Sequence, residues 1–336
     1  MLILTHRDVE AALRGRERAV LQAVQDAYVA HAAGASSLPH SVFLRFPDDQ
    51  RNRIIALPAY LGGDRPTAGI KWISSFPANI DRGLERASAA MILNSLDTGH
   101  PRAFLEGSLI SAWRTAASAA LAARLLPATT DGNGVTLLGC GVINFAILRF
   151  LRQVVPGLTQ VTAYDTQPGR AELLRERCVA RLPDVEVRVE RDLAAALDKN
   201  TLISVATNAL HPHLDTRSLR PGTLVLHISL RDVIAEAIVT ADNVVDDIDH
   251  VFRAATSVHL AEQLVGHRDF VSATIGELAS GPPAAERDTA RVTVVSPFGL
   301  GILDLAVAQL VVANAEAQQL GLTVGDFLPT LENSHG

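Results

Sequence analysis

Ten residues constrain this chain more than any others: Val135-Thr136-Leu137-Leu138-Gly139-Cys140-Gly141-Val142-Ile143-Asn144. An apolar run leads straight into Gly-x-Gly and then into a helical pattern. Gly139 permits a tight turn, and Gly141 lets the backbone approach a pyrophosphate. The helix opening at Val142 and Ile143 offers unpaired N–H groups and a partial positive charge to the phosphates. Asn144 stands where a third glycine usually serves close helix–strand packing. The next strand ends in Ala163-Tyr164-Asp165. An acidic residue there would accept hydrogen bonds from ribose hydroxyls and repel a 2′-phosphate, which points to NAD over NADP. Arg170, close by in sequence, argues the other way. A tight turn in an α/β protein that binds something else is the alternative reading.

The surroundings of the motif support the nucleotide reading. Strands are expected at Val135–Leu138, Val161–Tyr164, Val185–Val189, Leu202–Val205, Leu224–Ile228 and Val244–Asp246. Helices are expected at Ile143–Val154, Pro168–Leu182 and Leu193–Leu197. Such alternation with continuously apolar strands means a parallel sheet covered on both faces. Upstream, Thr5 and Asp8 resemble a helix-capping box, and Val20, Leu21, Val24, Tyr28 and His31 recur at helical spacing up to Gly34. Strands follow at Arg53–Leu61, Thr67–Ser75, Ala87–Leu96 and Pro101–Glu106, then an Ala-rich helix over Gly107–Leu126 and a linker at Thr130-Asp131-Gly132-Asn133-Gly134. A strand at Val292–Val295 and a long helix at Ile302–Leu320 close the chain.

The expected fold class is α/β: a Rossmann-type doubly wound parallel sheet plus a discontinuous α+β substrate-binding and dimerisation domain. The expected division is 1–114 with 303–336, and 115–302.

Composition narrows the function. The 336 residues suit two domains, and 48% apolar residues suit a sizeable core. A net charge of -6 speaks against nucleic acid as a partner. Two cysteines, Cys140 and Cys178, make neither a disulfide framework nor a zinc site. No apolar stretch approaches a membrane span, and the first residues lack a signal peptide's apolar core, so the expected location is cytoplasmic.

Several motifs then occur together: Gly69-Ile70-Lys71-Trp72, Ser108 through Ala119 around Trp113-Arg114-Thr115-Ala116, the glycine turn, and Ser296-Pro297-Phe298-Gly299-Leu300-Gly301-Ile302-Leu303-Asp304. In this order they resemble the ornithine cyclodeaminase/mu-crystallin family, over about residues 5 to 320. A narrower resemblance rests on Arg53 through Ala59, Glu85-Arg86-Ala87-Ser88, Met91 through Asn94, and Gly139 through Ile143. It is to the branch that oxidises N-(2-amino-2-carboxyethyl)-L-glutamate with NAD, yielding 2-oxoglutarate and L-2,3-diaminopropionate for siderophore or antibiotic pathways.

That resemblance implies roles. Arg114 would hold a substrate carboxylate, for which the planar guanidinium is well shaped. Lys71 would polarise an imine or activate water, its pKa lowered by burial; a lysine guarding a sheet edge is the plainer reading. Arg53 would be a further carboxylate clamp. Relatives carry an arginine in a Pro-Leu-Arg context where this chain has Leu38-Pro39-His40-Ser41, and Arg45 or Arg53 would substitute. Asp232 would accept a proton or merely cap a helix. Thr207 would lie near the nicotinamide and Thr115 near the phosphates, and Ser229 would also contact the cofactor. The implied partner is a small amino-acid-derived carboxylate, and the implied assembly a homodimer. Ornithine cyclodeaminase, alanine dehydrogenase or imine reductase activity, and a non-catalytic crystallin-like role, remain as alternatives.

Overall fold

The computed structural model describes residues 1–128, 133–281 and 288–328. Thr130, Asp131 and Gly132 of the expected linker, and 329–336 of the tail, lie outside the described residues. Two compact units are formed: Met1–Arg114 with Leu300–Gly336, and Thr115–Gly299.

The first unit opens with β1 (Leu2–Leu4), α1 (His6–Leu13) and α2 (Glu17–Ala32). The capping box at the start of α1 is formed, with Asp8 Oδ2 accepting from the Thr5 amide at 2.9 Å. Gly15, at φ +70°, divides the two helices. Strands β2 (Ser36–Ser37), β3 (Val42–Phe46), β4 (Asp49–Leu61), β5 (Thr67–Ser75), β6 (Ala87–Asn94) and β7 (Pro101–Glu106) lead into α3 (Ser108–Leu125).

The second unit runs through β8 (Gly134–Leu138), α4 (Val142–Val154), β9 (Gln160–Tyr164), α5 (Pro168–Arg181), β10 (Glu186–Val189), α6 (Leu193–Leu197), β11 (Leu202–Val205) and β12 (Leu224–His227). It continues through α7 (Ala235–Thr240), β13 (Asp242–Val245), α8 (Ile248–Val251), α9 (Ser257–Val265), β14 (Val271–Thr274), α10 (Ile275–Ser280) and β15 (Thr293–Ser296). The chain returns to the first unit with α11 (Gly301–Ala317) and β16 (Leu322–Thr323).

The second unit's sheet has the order β10-β9-β8-β11-β12-β15-β13-β14, and every pairing is parallel. Its central strands are buried at every position, as continuous apolar runs require; β10, on the edge, alternates. From β8 the chain winds outward to β9 and β10, then recrosses to β11. That reversal opens a ligand crevice at the carboxyl ends of β8 and β11.

The first unit's sheet has the order β16-β1-β7-β6-β5-β4-β2, with β3 also pairing to β4. All its pairs are antiparallel except β1–β7. Helix α11 lies across β4 and β5 and against α1 and α2. It is buried from Gly301 to Ala308, so its sequence is apolar on every side. A side chain at Gly301 would meet Ala59 Cβ at 3.2 Å, so glycine sets how closely the helix rides on the strand. Among the described residues no helix is long and apolar enough to cross a membrane.

Candidate functional site

The glycine turn follows β8. Gly139 has φ +86°, and a Cβ there would fall 2.4 Å from the Ala206 carbonyl oxygen. Conformation and space both require glycine. A Cβ on Gly141 would meet nothing within 4 Å, so this side of the turn is open. Gly141 caps α4 without any side-chain hydrogen bond, which leaves the first amides of the helix without a side-chain partner. Open space beside uncapped helix amides fits a pyrophosphate.

Asp165, at the end of β9, is held by two backbone amides: Cys140 N donates to Oδ2 and Gln167 N to Oδ1, both at 2.9 Å. Each oxygen keeps accepting capacity for a ribose hydroxyl. Burial, and then Asp165, push the Cys140 thiol up to about 12, so it stays protonated and inert near neutrality.

Asn144 does work the fingerprint rule assigns to packing. It is fully buried, and its amide donates to the carbonyls of Leu138 at 2.9 Å and Gly139 at 2.7 Å, while Oδ1 accepts from Ser204 Oγ at 2.7 Å. A polar tie between α4, the turn and β11 stands in for glycine-mediated contact.

The loops after β11 and β12 carry the other second-unit candidates. Thr207 N donates to Ser229 Oγ at 3.1 Å, and Ser229 Oγ lies 2.5 Å from Asp232 Oδ2. Thr207 Oγ1 donates to Asp232 Oδ1. Buried His227 places Nε2 3.2 Å from the Asp232 amide and 3.4 Å from its carboxylate. Burial pushes the Asp232 carboxyl up, but His227 and the Ser229 and Thr207 hydroxyls outweigh it and hold the group at about 2. A carboxylate that acidic stays ionised near neutrality, and its hydrogen bonds tie the loop after β12 to the loop after β11. Leu230 within the loop has φ +68°, a left-handed conformation strained for a side chain, and its carbonyl accepts from Ser257 N at 2.7 Å.

The first unit gathers a different set of charges. Lys71 lies on β5 opposite Leu57 and Met91 and is 2% exposed. Strands pair with β5 on both sides, so Lys71 guards no edge. Its Nζ donates to Asp304 Oδ2 at 2.6 Å and to Ser111 Oγ at 3.3 Å. Asp304, fully buried in the first turn of α11, also accepts from Arg114 Nε at 3.2 Å. Burial lowers the Lys71 pKa to about 8, with Asp304 opposing that shift and Arg114 adding to it. Two cations against one carboxylate leave a net positive charge in a largely dry place, an arrangement that can hold a further anionic group.

Not every candidate joins these groups. Arg53 pairs in register with Ser75, four residues along β5 from Lys71. His40 and Arg45 are exposed. Thr115 is half-buried on α3. Sequence reasoning missed the roles of Asp304 and Ser111. The available signal for Asp304 was a lone acid in the apolar run Gly301–Leu310, which must find a partner if buried.

Residues 1–319 match the description of the Ornithine cyclodeaminase/mu-crystallin family. An N-((2S)-2-amino-2-carboxyethyl)-L-glutamate dehydrogenase of Staphylococcus aureus is 29% identical over 333 residues, covering 96% of this chain and 98% of that protein. An alanine dehydrogenase of Archaeoglobus fulgidus is 30% identical over 332 residues, covering 97% of this chain and 98% of that protein. Among solved structures, an archaeal alanine dehydrogenase dimer with bound NAD has a TM-score of 0.87 at 28% identity, over 97% of this chain and 99% of that one.

Proposed function

The chain belongs to the ornithine cyclodeaminase/mu-crystallin family, and on that premise we propose that it is an NAD-dependent oxidoreductase acting on an amino-acid-derived carboxylate. Its substrate, on this reading, is N-(2-amino-2-carboxyethyl)-L-glutamate. The substrate, NAD and one water give 2-oxoglutarate, L-2,3-diaminopropionate, NADH and a proton. The observation that carries the reading is the buried Lys71–Asp304–Arg114 cluster with its surplus positive charge. The full-length similarity to the S. aureus glutamate-adduct dehydrogenase supports the choice of substrate.

NAD, when bound, supplies a hydride acceptor. The turn at Gly139, Gly141, Val142 and Ile143 would hold its pyrophosphate, with Thr115 beside the phosphates. Asp165 would hold the ribose, and Thr207 and Ser229 the nicotinamide end. Arg114 has guanidinium N–H groups beyond the one given to Asp304 and clamps the carboxylate next to the reacting carbon. With a pKa of about 8, Lys71 exchanges protons near neutrality. It takes the proton leaving the substrate amine and returns one as water adds to the imine carbon and the C–N bond breaks. Asp304 fixes the position of both cations. Asp232 fixes the loop carrying Ser229.

The similarity to an alanine dehydrogenase favours a second reading, oxidation of alanine. One experiment separates the readings: NADH absorbance is followed with the glutamate adduct, alanine and ornithine as parallel substrates. Net NADH from the adduct is expected. NADH from alanine alone establishes the second reading, and proline from ornithine without net NADH establishes a cyclodeaminase. The active assembly is proposed to be a homodimer.

A further inference from the structure

A second cationic centre stands apart from the Lys71 cluster. Arg86 is half-buried, and Ser75 Oγ, which accepts from its guanidinium at 3.1 Å, is the one hydrogen-bond partner of its side chain among the described residues. No carboxylate pairs with it there, and burial lowers its pKa. Its main chain is fixed as well: Phe76 N donates to the Arg86 carbonyl at 2.8 Å, closing the segment between them, and Asn79 Nδ2 donates to the Glu85 carbonyl at 3.2 Å. The Phe76 ring packs edge to face on Phe46, with ring centres 5.6 Å apart. A guanidinium held this firmly, partly withdrawn from water and without a counter-ion, is unfavourable unless an anion visits it.

The register of the sheet shows where that anion would lie. Ser75 pairs with Arg53 on β4, and Arg53 pairs with Arg45 on β3. Residues 71 and 75 point to the same face of β5, because side chains alternate along a strand. Their Cα atoms are about 13 Å apart at the usual rise per residue. One face of the first unit therefore carries two separated cationic centres: Lys71 with Arg114, and Arg86 with Arg53. A substrate with a single carboxylate uses only one of them.

We propose that Arg86, oriented by Ser75 and joined by Arg53, forms a second carboxylate subsite that selects substrates bearing an anionic group on the arm remote from the reacting carbon. The subsite deepens the proposed function and rests on its placing of the substrate in the first unit. It explains how this scaffold would prefer the glutamate adduct to alanine or ornithine, since the preference follows from an added charge contact rather than from pocket size.

The test is calorimetric titration of the full chain with 2-oxoglutarate, which has two carboxylates, and pyruvate, which has one. Wild type is expected to bind 2-oxoglutarate more tightly. Arg86→Gln is expected to weaken 2-oxoglutarate about 10- to 100-fold, the range for losing a charged hydrogen-bond partner, while leaving pyruvate unchanged. Arg86→Lys restores part of the difference. Unchanged 2-oxoglutarate affinity in Arg86→Gln, or equal loss of both ligands, overturns the subsite. Should Arg86→Gln melt at a markedly lower temperature, Ser75→Ala takes its place, with the same selective loss expected at smaller amplitude and the same outcomes overturning the proposal. The reaction is judged separately. Arg86-dependent binding of 2-oxoglutarate without NADH production from the adduct keeps the subsite and removes the reaction. Turnover of the adduct that ignores Arg86→Gln keeps the reaction and removes the subsite.

Discussion

Lys71 and Asp304 make the proton chemistry of the first unit measurable. The neutral amine is the form that accepts a proton, so turnover should rise with pH through an apparent pKa near the Lys71 value of about 8. Asp304 raises that pKa by favouring the charged amine. Asp304→Asn is therefore expected to move the rising limb to lower pH and to cut turnover by about tenfold or more through lost positioning. A pH profile of kcat for both proteins checks this; a limb that stays put or moves to higher pH removes Lys71 as the titrating group. Lys71 was legible in the sequence because a cation in the apolar strand Thr67–Ser75 demands an explanation. Asp304 offered the same kind of signal, but its pairing with Lys71 was hidden, because the two lie 233 positions apart and no local pattern joins them. Asp232 was legible as a residue of the loop after β12. Its low pKa was hidden, because it depends on His227 and on hydroxyls contributed by two loops.

Among the elements, the strands of the second unit were read to within a residue or two, except β14, which was missed: Val271–Thr274 is a four-residue edge strand with no buried position to mark it. Parallel strands buried on both faces leave unbroken apolar runs, as in Leu202–Val205 and Leu224–His227. Strand β3 escaped notice. Val42 and Leu44 point into solvent and Arg45 is exposed, so Val42–Phe46 shows no apolar alternation and exists through pairing with β4. The short helices α7, α8 and α10 escaped for want of length, since four to six residues hold no helical period. At the junction of β8 and α4 the polar tie made by Asn144 should be separable from nucleotide binding itself. Asn144→Ala is expected to cost about 2 kcal/mol in chemical denaturation, since it strands the Ser204 hydroxyl and loses two buried donors. Gly139→Ala is expected to abolish NADH binding, read by fluorescence titration, because its Cβ would collide with the Ala206 carbonyl. Retained NADH affinity in that variant would place the cofactor elsewhere.

For the whole molecule, the outer face of the first sheet is the conspicuous surface. Trp72, Phe104 and Tyr60 are 45%, 41% and 39% exposed, and Trp72, Ile70 and Ile92 share that face through the β5–β6 register. A lone soluble chain seldom shows so much clustered apolar area. The proposed homodimer would cover it. Trp72→Lys is expected to yield monomers in analytical ultracentrifugation where wild type sediments as a dimer, and an unchanged dimer would place the contact on another face.

The chain's path carries a consequence for its synthesis. Lys71 and Arg114 leave the ribosome long before Asp304, which arrives only after the 185 residues from Thr115 to Gly299 that form the other unit. Until α11 emerges, β5 presents a lysine destined for a dry interior with nothing to neutralise it, so the early segment has reason to stay loose. The returning helix is therefore expected to complete the charge centre only after the intervening unit has been translated, and a nascent chain halted near residue 299 should be soft to protease across β5.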